Sequence, residues 1–247
     1  MDFIDTLINT VSLLGFGKTG WGLYLLAAAG MTIAVTLAAI VIGAIVGSFV
    51  AWAKLSSNLI ARAAGNAYTV VLRGTPELLI IYMVFFGKVV DAVGNTLQYL
   101  GLGDGTIINN FLAGALGVGL ISAAYQAEVF RGAFTAIAKG EIEAARAIGM
   151  PRLLRFRRII VPQILRFAIP GLGNVWQLSV KDSALISITG LVEIMNAANK
   201  AVGSTKQSFL FYTVGACLYL VLTSLSNQVF NAGERHVAKS FRRPVGM

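Results

Sequence analysis

Long apolar segments alternate with short charged segments along the chain. Five of the apolar segments are long enough to cross a bilayer, because about 20 helical residues span a hydrocarbon core of about 30 Å. The first and the last of them carry no charged residue. The pattern predicts an all-α integral membrane protein with spans at about 23–52, 66–87, 107–130, 159–180 and 208–230.

Composition supports the membrane class. Charged residues make up 13% of the 247 residues, where a soluble domain holds about 25%. The net charge of +9 would suggest a nucleic-acid partner in a soluble protein. In a membrane protein its simpler cause is the bias of lysine and arginine toward cytoplasmic loops, so we expect no nucleic acid. Cys217 and His236 are the single cysteine and histidine, so we expect neither a disulfide framework nor a metal site.

The distribution of lysine and arginine predicts the orientation. Loop 1–2, loop 3–4 and the C-terminal segment lie on one side of a five-span chain and carry most of the 20 cationic residues. The other side holds only Lys18, Lys88, Lys181, Lys200 and Lys206. Cationic residues concentrate on the cytoplasmic side. We therefore expect a periplasmic amphipathic lead-in at 1–20, the N-terminus outside, and a basic cytoplasmic tail at 236–247.

Charged residues interrupt two of the spans. Arg73-Gly74-Thr75-Pro76-Glu77 breaks span 2, where the proline removes a backbone donor. Lys181 and Asp182 follow span 4. Charges at membrane depth usually face a cavity or a partner, so both breaks are candidates for a solute path. The alternative for span 2 is an Arg73–Glu77 ion pair, four residues apart, that anchors the helix at the membrane boundary.

The loop at 139–162 is the most charged stretch between spans. Its residues from Glu141 to Ile148 are compatible with a helix, and the acidic ones lie in the first turn, where they suit the helix dipole. Gly149 ends that helix. The alanines between give it a small-sided surface that another protein can approach closely.

This loop resembles a known signature. Glu143-Ala144-Ala145, Gly149 and the stretch from Ile159 to Pro162 match the EAA motif of ABC importer permeases at its usual spacing, with Val161 where leucine is usual. The Arg73–Pro76 block and the Lys181–Leu185 block are similar to those of the polar amino acid subfamily. Within that subfamily the chain looks like the Q-type subunits of the histidine, octopine and nopaline permeases.

The resemblance implies a type I ABC importer transmembrane domain at 21–235 with a five-helix core, in a bacterial inner membrane. It implies two ATP-binding cassette subunits, a second permease of the M type in a heterodimer, and a periplasmic solute-binding protein. ATP and magnesium would be bound by the ATPase subunits, so this chain would be a non-catalytic subunit without a cofactor. Glu143, Ala144, Ala145 and Gly149 would contact the ATPase.

The resemblance also suggests the solute, a basic amino acid or an opine. Thr75, Glu77 and Asp182 are candidates for the solute path. A guanidinium or ammonium group needs a carboxylate partner, which Glu77 and Asp182 can supply. Arg73 or Lys181 would meet a solute carboxylate. Alternatively, Asp182 pairs with Lys181 or with the partner subunit.

Three other classes compete with this interpretation. A secondary transporter would be expected to show an internal repeat and intramembrane acids for a coupling ion, and five spans do not divide into two repeats. A membrane enzyme would need clustered catalytic groups, which the sequence lacks. A membrane scaffold has no use for charged breaks within its spans.

Overall fold

The computed structural model describes residues 12–17, 20–101 and 104–239, with side chains to residue 235. Within these ranges the chain is helical and contains no β-strand, which confirms the predicted all-α class. The α-helices are α1 Gly22–Leu55, α2 Leu59–Gly74, α3 Glu77–Phe86, α4 Asp91–Tyr99, α5 Gly105–Thr135, α6 Lys139–Ala147, α7 Arg152–Arg155, α8 Val161–Asp182, α9 Ile194–Thr205 and α10 Ser208–Lys239. A π turn at Phe156–Ile160 joins α7 to α8, and a 3₁₀ helix, Ser183–Thr189, follows α8.

Four described helical segments are long and apolar enough to cross a membrane: Gly22–Leu55, Gly105–Thr135, Arg152–Thr189 and Ser208–Arg235. Helices α2 and α3 meet this test together and are bent by 104° at their junction. If the pair counts as one broken span, the described residues contain five spans. The five predicted spans lie on these segments.

Helix α5 is the centre of the fold. It packs against α1, α3 and α8, and its buried positions are mostly glycine and alanine. Small side chains let helices approach closely in a membrane protein. A Cβ at Gly47 of α1 would lie 2.9 Å from the carbonyl oxygen of Ala123 on α5. A Cβ at Gly43, one turn earlier in α1, would also meet side chains of α5, so both glycines serve packing within the chain.

Helix α1 is apolar on both faces, but the two faces differ in side-chain size. Apart from Leu25, its buried residues are small or β-branched, such as Ala28, Val35 and Ala39. Its large apolar residues are exposed on the outer face of the single chain, such as Leu37, Val41, Ile45, Phe49 and Trp52. This surface is available to lipid or to another membrane subunit.

The π turn has a local cause. Pro162 lies in the first turn of α8 and has no backbone N–H, so it cannot donate to the preceding helical turn. The wider turn at Phe156–Ile160 directly precedes this proline and accommodates the missing donor. The segment from Arg152 to Thr189 therefore continues as one helical unit of 38 residues.

Two short helices lie between the spans. Helix α4 falls within 88–106, where the sequence predicted a loop with a short helix. Helix α9, which begins after Glu193, was not predicted from the sequence. Most of the predicted lead-in at 1–20, and the side chains of the predicted tail at 236–247, lie outside the described residues.

Candidate functional site

Helix α6 forms the centre of the predicted coupling loop. The helix ends at Ala147, and two residues later Gly149 has a φ of +72°, in the left-handed region that favours glycine. The N–H of Gly149 donates to the carbonyl of Arg146 (2.9 Å), and the N–H of Met150 donates to that of Ala145 (3.0 Å). This pair of bonds is a Schellman motif, which satisfies the last carbonyls of a helix. Gly149 therefore fixes the direction in which the chain leaves α6.

The four predicted coupling residues occupy two different environments. Glu143, Ala144 and Gly149 are exposed, whereas Ala145 is only 3% exposed and packs inside the chain. The side chain of Ile148 is 77% exposed beside them. The exposed face of α6 thus combines a carboxylate, a small residue and an apolar residue. Ala145 lies on the opposite, buried face and packs α6 against the rest of the chain.

A groove of about 430 Å³ separates α6 from the π turn. Its walls include Ala144 and Ile148 on one side, and Ile159 and Pro162 on the other. At one end of the groove the Nε2 of Gln163 donates a hydrogen bond to the Glu141 carboxylate. Residues of α6 and of the start of span 4 are therefore in direct contact.

The break in span 2 falls at the predicted position. Helix α2 ends at Gly74 and α3 begins at Glu77, after Pro76. Among the described residues no ion pair within 4.0 Å joins Arg73 to Glu77. The Arg73 guanidinium lies instead 5.1 Å from the centre of the Tyr125 ring, over α5. The helix bend separates the two charges that a continuous helix would bring together.

A polar pocket of about 360 Å³ lies beside this break. Lys54, at the end of α1, forms an ion pair with Glu128 of α5 and donates a hydrogen bond to Thr69 of α2 (2.7 Å). Arg131 holds the other carboxylate oxygen of Glu128 at 2.9 Å. The Lys54 side chain is only 8% exposed. These interactions connect α1, α2 and α5 beside the pocket. From the sequence, their charged residues could be assigned only to the ends of spans.

The second predicted break places Asp182 at the end of α8, where it is partly buried. Its carboxylate is close enough to Glu77 and to Lys181 to interact with both charges. No ion pair within 4.0 Å joins Asp182 to Lys181 in the part of the chain that the structure describes. Two carboxylates from the breaks in spans 2 and 4 thus share one electrostatic environment. Thr75 lies in the bend, next to Pro76.

Sequence reasoning missed a buried cluster around Glu193. This fully buried carboxylate caps α9 by accepting hydrogen bonds from the N–H groups of Met195 (2.9 Å) and Asn196 (2.7 Å). The hydroxyl of Tyr219 on α10 donates to it at 2.7 Å. Burial raises the pKa of the Glu193 carboxyl. The available signal was a single acidic residue within an apolar stretch.

Comparison with known proteins identifies the family. The family model "Binding-protein-dependent transport system inner membrane component" matches residues 39–239. The chain belongs to this family. Its members are permease components, so the chain has the class predicted from the EAA motif. Family membership also argues against the two alternative interpretations of the chain, a secondary transporter and a membrane scaffold.

Similar permeases extend over nearly the whole chain. The octopine transport system permease protein OccQ of Rhizobium meliloti is 49% identical over 238 residues, covering 95% of this chain and 99% of the relative. The histidine/lysine/arginine/ornithine transport system permease protein HisQ of Escherichia coli (strain K12) is 37% identical over 224 residues, covering 91% and 97%. These relatives confirm the predicted Q-type resemblance.

A solved structure gives the same fold. The crystal structure of an amino acid ABC transporter with histidines contains a chain that superposes with a TM-score of 0.71 at 28% identity. The match covers 96% of this chain and 99% of that chain. The transmembrane domain of an ABC importer is therefore the fold of this protein.

Proposed function

We propose that the chain is the Q-type permease subunit of an ATP-driven, binding-protein-dependent importer for basic amino acids or opines. The observation that carries this proposal is the α6 turn, where Gly149 ends a helix whose exposed face holds Glu143 and Ala144. The OccQ and HisQ relatives, whose names give octopine and basic amino acids, support the solute class.

The geometry supports a mechanical role for α6. Two residues, Met150 and Pro151, separate its cap from the helical segment Arg152–Thr189. A helix of 38 residues is roughly 57 Å long at 1.5 Å per residue. It contacts α6 at one end and carries Asp182 toward the other. A displacement of α6 by an ATPase would therefore move span 4 as a rigid body and change access to the solute path.

This role implies the other subunits of the importer. Two ATP-binding cassette subunits would bind ATP and magnesium, so the chain itself would need no cofactor and would catalyse no reaction. A second permease of the M type would complete the path as a heterodimer, and a periplasmic binding protein would deliver the solute. The location is the bacterial inner membrane, with the N-terminus in the periplasm and the C-terminus in the cytoplasm.

The solvent exposure of the residues in and after α6 indicates which of them would contact the ATPase. Glu143, Ala144 and Gly149 are exposed and would meet the ATPase directly. Ala145 is buried and would act by holding α6 against the π turn. Because α6 has only nine residues, its direction depends strongly on how its last turn is capped.

Substitution of Gly149 tests the coupling role. Asparagine tolerates the left-handed region, whereas valine is strained there. Among the described residues, no neighbouring atom lies within 4 Å of a Cβ added at Gly149. Any difference between Gly149→Asn and Gly149→Val therefore reports on backbone conformation. We expect Gly149→Val to hydrolyse ATP in the assembled importer while uptake falls at least tenfold, and Gly149→Asn to retain most uptake.

The matched control is Gly140→Val in the first turn of the same helix, where the site is equally open and φ is not positive. It should transport close to wild type. Uptake of labelled solute and ATP hydrolysis are measured on the same proteoliposomes. Wild-type uptake by Gly149→Val would refute the coupling role of the turn.

For the solute path we propose Glu77 and Asp182 as partners of the cationic group of the solute, with Thr75 in the same bend. Their support is the shared electrostatic environment of the two carboxylates. Arg73 or Lys181 would receive a solute carboxylate; neither forms an ion pair in the described part of the chain. Stacking on Tyr125 leaves the Arg73 guanidinium exposed.

Uptake kinetics test these residues. In Glu77→Gln and Asp182→Asn, we expect the apparent KM for a labelled basic amino acid to rise about tenfold, because a charge-assisted hydrogen bond contributes roughly 1.5–3 kcal/mol. Competition with arginine, histidine, octopine and nopaline in the wild type then ranks the solutes. An unchanged KM in both variants would remove the two carboxylates from the path.

A further inference from the structure

The start of span 4 carries an amphipathic surface outside the coupling helix. We call this surface the arginine stripe; it consists of Arg152, Leu153, Arg155, Phe156 and Arg157. The side chains of Leu153 and Phe156 are 78% and 51% exposed. Arg152 and Arg157 are exposed as well. Large apolar side chains and cations therefore share one open surface.

Helical spacing arranges these residues in order around the axis. Residues three apart share a helix face, so Leu153 and Phe156 lie together, with Arg152 on one edge of their face and Arg157 on the other. Arg155 lies beyond Arg152 and is partly buried. Arg158 turns away from this face and lines the groove against α6. The stripe and the coupling face are therefore separate surfaces of the same loop.

The cations of the stripe have no acidic partner in the described part of the chain. The ion pairs found there join Glu128 to Lys54 and to Arg131, and none involves the stripe. The apolar residues of the stripe lie at the start of the helical segment Arg152–Thr189, which is apolar enough to span a membrane. The same helix continues with the exposed apolar side chains of Leu165 and Phe167.

An apolar face bordered by cations fits the boundary of a bilayer. Apolar side chains enter the acyl region, while arginines extend to phosphate groups at the headgroup level. Anionic lipids attract cationic residues next to a span. An acidic protein surface would satisfy the arginines and leave Leu153 and Phe156 without an apolar environment.

We propose that the arginine stripe binds anionic phospholipid headgroups and thereby fixes the depth of the N-terminal end of span 4 in the membrane. The binding itself is independent of the proposed function. Only the consequence for transport rests on the proposed function. That consequence is a stable position for span 4, which α6 is proposed to move.

Lipid binding is measured directly on the purified full-length chain. The protein is equilibrated in mixed micelles of phosphatidylglycerol and phosphatidylcholine, and retained lipids are counted by native mass spectrometry. We expect wild type to retain phosphatidylglycerol selectively. Each arginine near an anionic surface is worth about fivefold in affinity, so Arg155→Gln with Arg157→Gln should weaken retention on the order of 25-fold.

Two matched variants isolate the cause. Arg155→Lys with Arg157→Lys keeps both charges and should retain the lipid, because a phosphate accepts a point charge. Arg62→Gln with Arg235→Gln removes the same number of cations from other helices, both of them exposed, and should leave selective retention within about twofold of wild type. High salt should reduce retention by wild type.

Three results would overturn the proposal. These are equal retention of the two lipids by wild type, a glutamine pair that binds like wild type, and loss of a co-expressed ATPase subunit from the glutamine pair in detergent, which would make the stripe a protein interface. Because retention is read without transport, a failure of the Gly149 experiment leaves this result intact. The two hypotheses therefore fail separately.

Discussion

At the residue scale, the most consequential contact is the ion pair between Lys54 and Glu128. Glu128 forms ion pairs with Lys54 of α1 and Arg131 of α5. Among the described residues, Glu128 is the only carboxylate within 4.0 Å of the Lys54 ammonium group. The Arg131 side chain is 42% exposed, and that of Lys54 only 8%. Loss of the carboxylate therefore leaves one buried unpaired cation, while loss of Lys54 leaves Glu128 still paired with Arg131.

This asymmetry gives a double-mutant prediction. We expect Glu128→Leu to lower the free energy of unfolding by about 3 kcal/mol, because it leaves a buried charge without a partner. Lys54→Met should cost about 1 kcal/mol. The double variant should recover to nearly the level of Lys54→Met. Thermal unfolding in detergent measures all three, and additive losses would show that the two groups do not interact.

The Glu193 cluster illustrates a different use of a buried acid. A carboxylate within a mostly apolar stretch caps α9 and ties it to Tyr219 of α10. The N–H of Ile194 also donates to the hydroxyl of Thr32 on α1 (3.2 Å). Helix α1 thus meets the consecutive helices α9 and α10 around one polar centre, and the hydrogen bonds to the Glu193 carboxylate compensate for its burial.

At the scale of elements, the contact between α1 and α5 depends on glycine. Both helices are apolar around much of their surface, so hydrophobicity alone does not select the faces that meet. The small residues at the seam do, because they let the backbones approach. Gly47 of α1 faces the backbone of Ala123, and Gly30 on the same helix faces open space.

Alanine substitutions at these two glycines make a matched pair. In Gly47→Ala the added methyl would lie 2.9 Å from a backbone oxygen, so the helices must shift, at a cost of about 1–3 kcal/mol. In Gly30→Ala nothing lies within 4 Å, and we expect neutrality or a gain of roughly 0.5–1 kcal/mol from helix propensity. Comparable melting temperatures for the two variants would contradict the close packing.

At the scale of the whole molecule, the orientation in the membrane is a prediction from charge distribution. It is tested by thiol accessibility after replacement of Cys217 with serine. Ser204 lies in the last turn of α9 on the predicted periplasmic side, and Ala138 precedes α6 on the predicted cytoplasmic side; both are exposed. We expect a membrane-impermeant reagent to label Ser204→Cys but not Ala138→Cys in cells with a permeabilised outer membrane. The reverse pattern would invert the topology.

Complete lysis is the control, because both cysteines should then react. Equal labelling in unlysed cells would indicate a leaky preparation, which a cytoplasmic marker enzyme detects. The result bears on the coupling role as well, since α6 can meet an ATPase only from the cytoplasm.

The class, the approximate position of the spans and the resemblance to the family could be predicted from the amino-acid sequence alone. Those features are local, because apolar length depends on neighbouring residues, and the EAA spacing and the glycine after α6 are read along one stretch of chain. The break at Arg73–Glu77 was also predictable from Pro76. The family match confirms the class and the family, and the left-handed φ of Gly149 confirms the predicted end of the α6 helix.

Only the tertiary structure decided which distant groups meet. The Lys54–Glu128 pair, the Glu193–Tyr219 contact and the proximity of Glu77 to Asp182 join residues far apart in the chain. Helix packing sets such contacts, and in a chain this apolar many faces are equally hydrophobic, so periodicity does not identify the seam. The burial of Ala145 and the exposure of Leu153 follow from that packing.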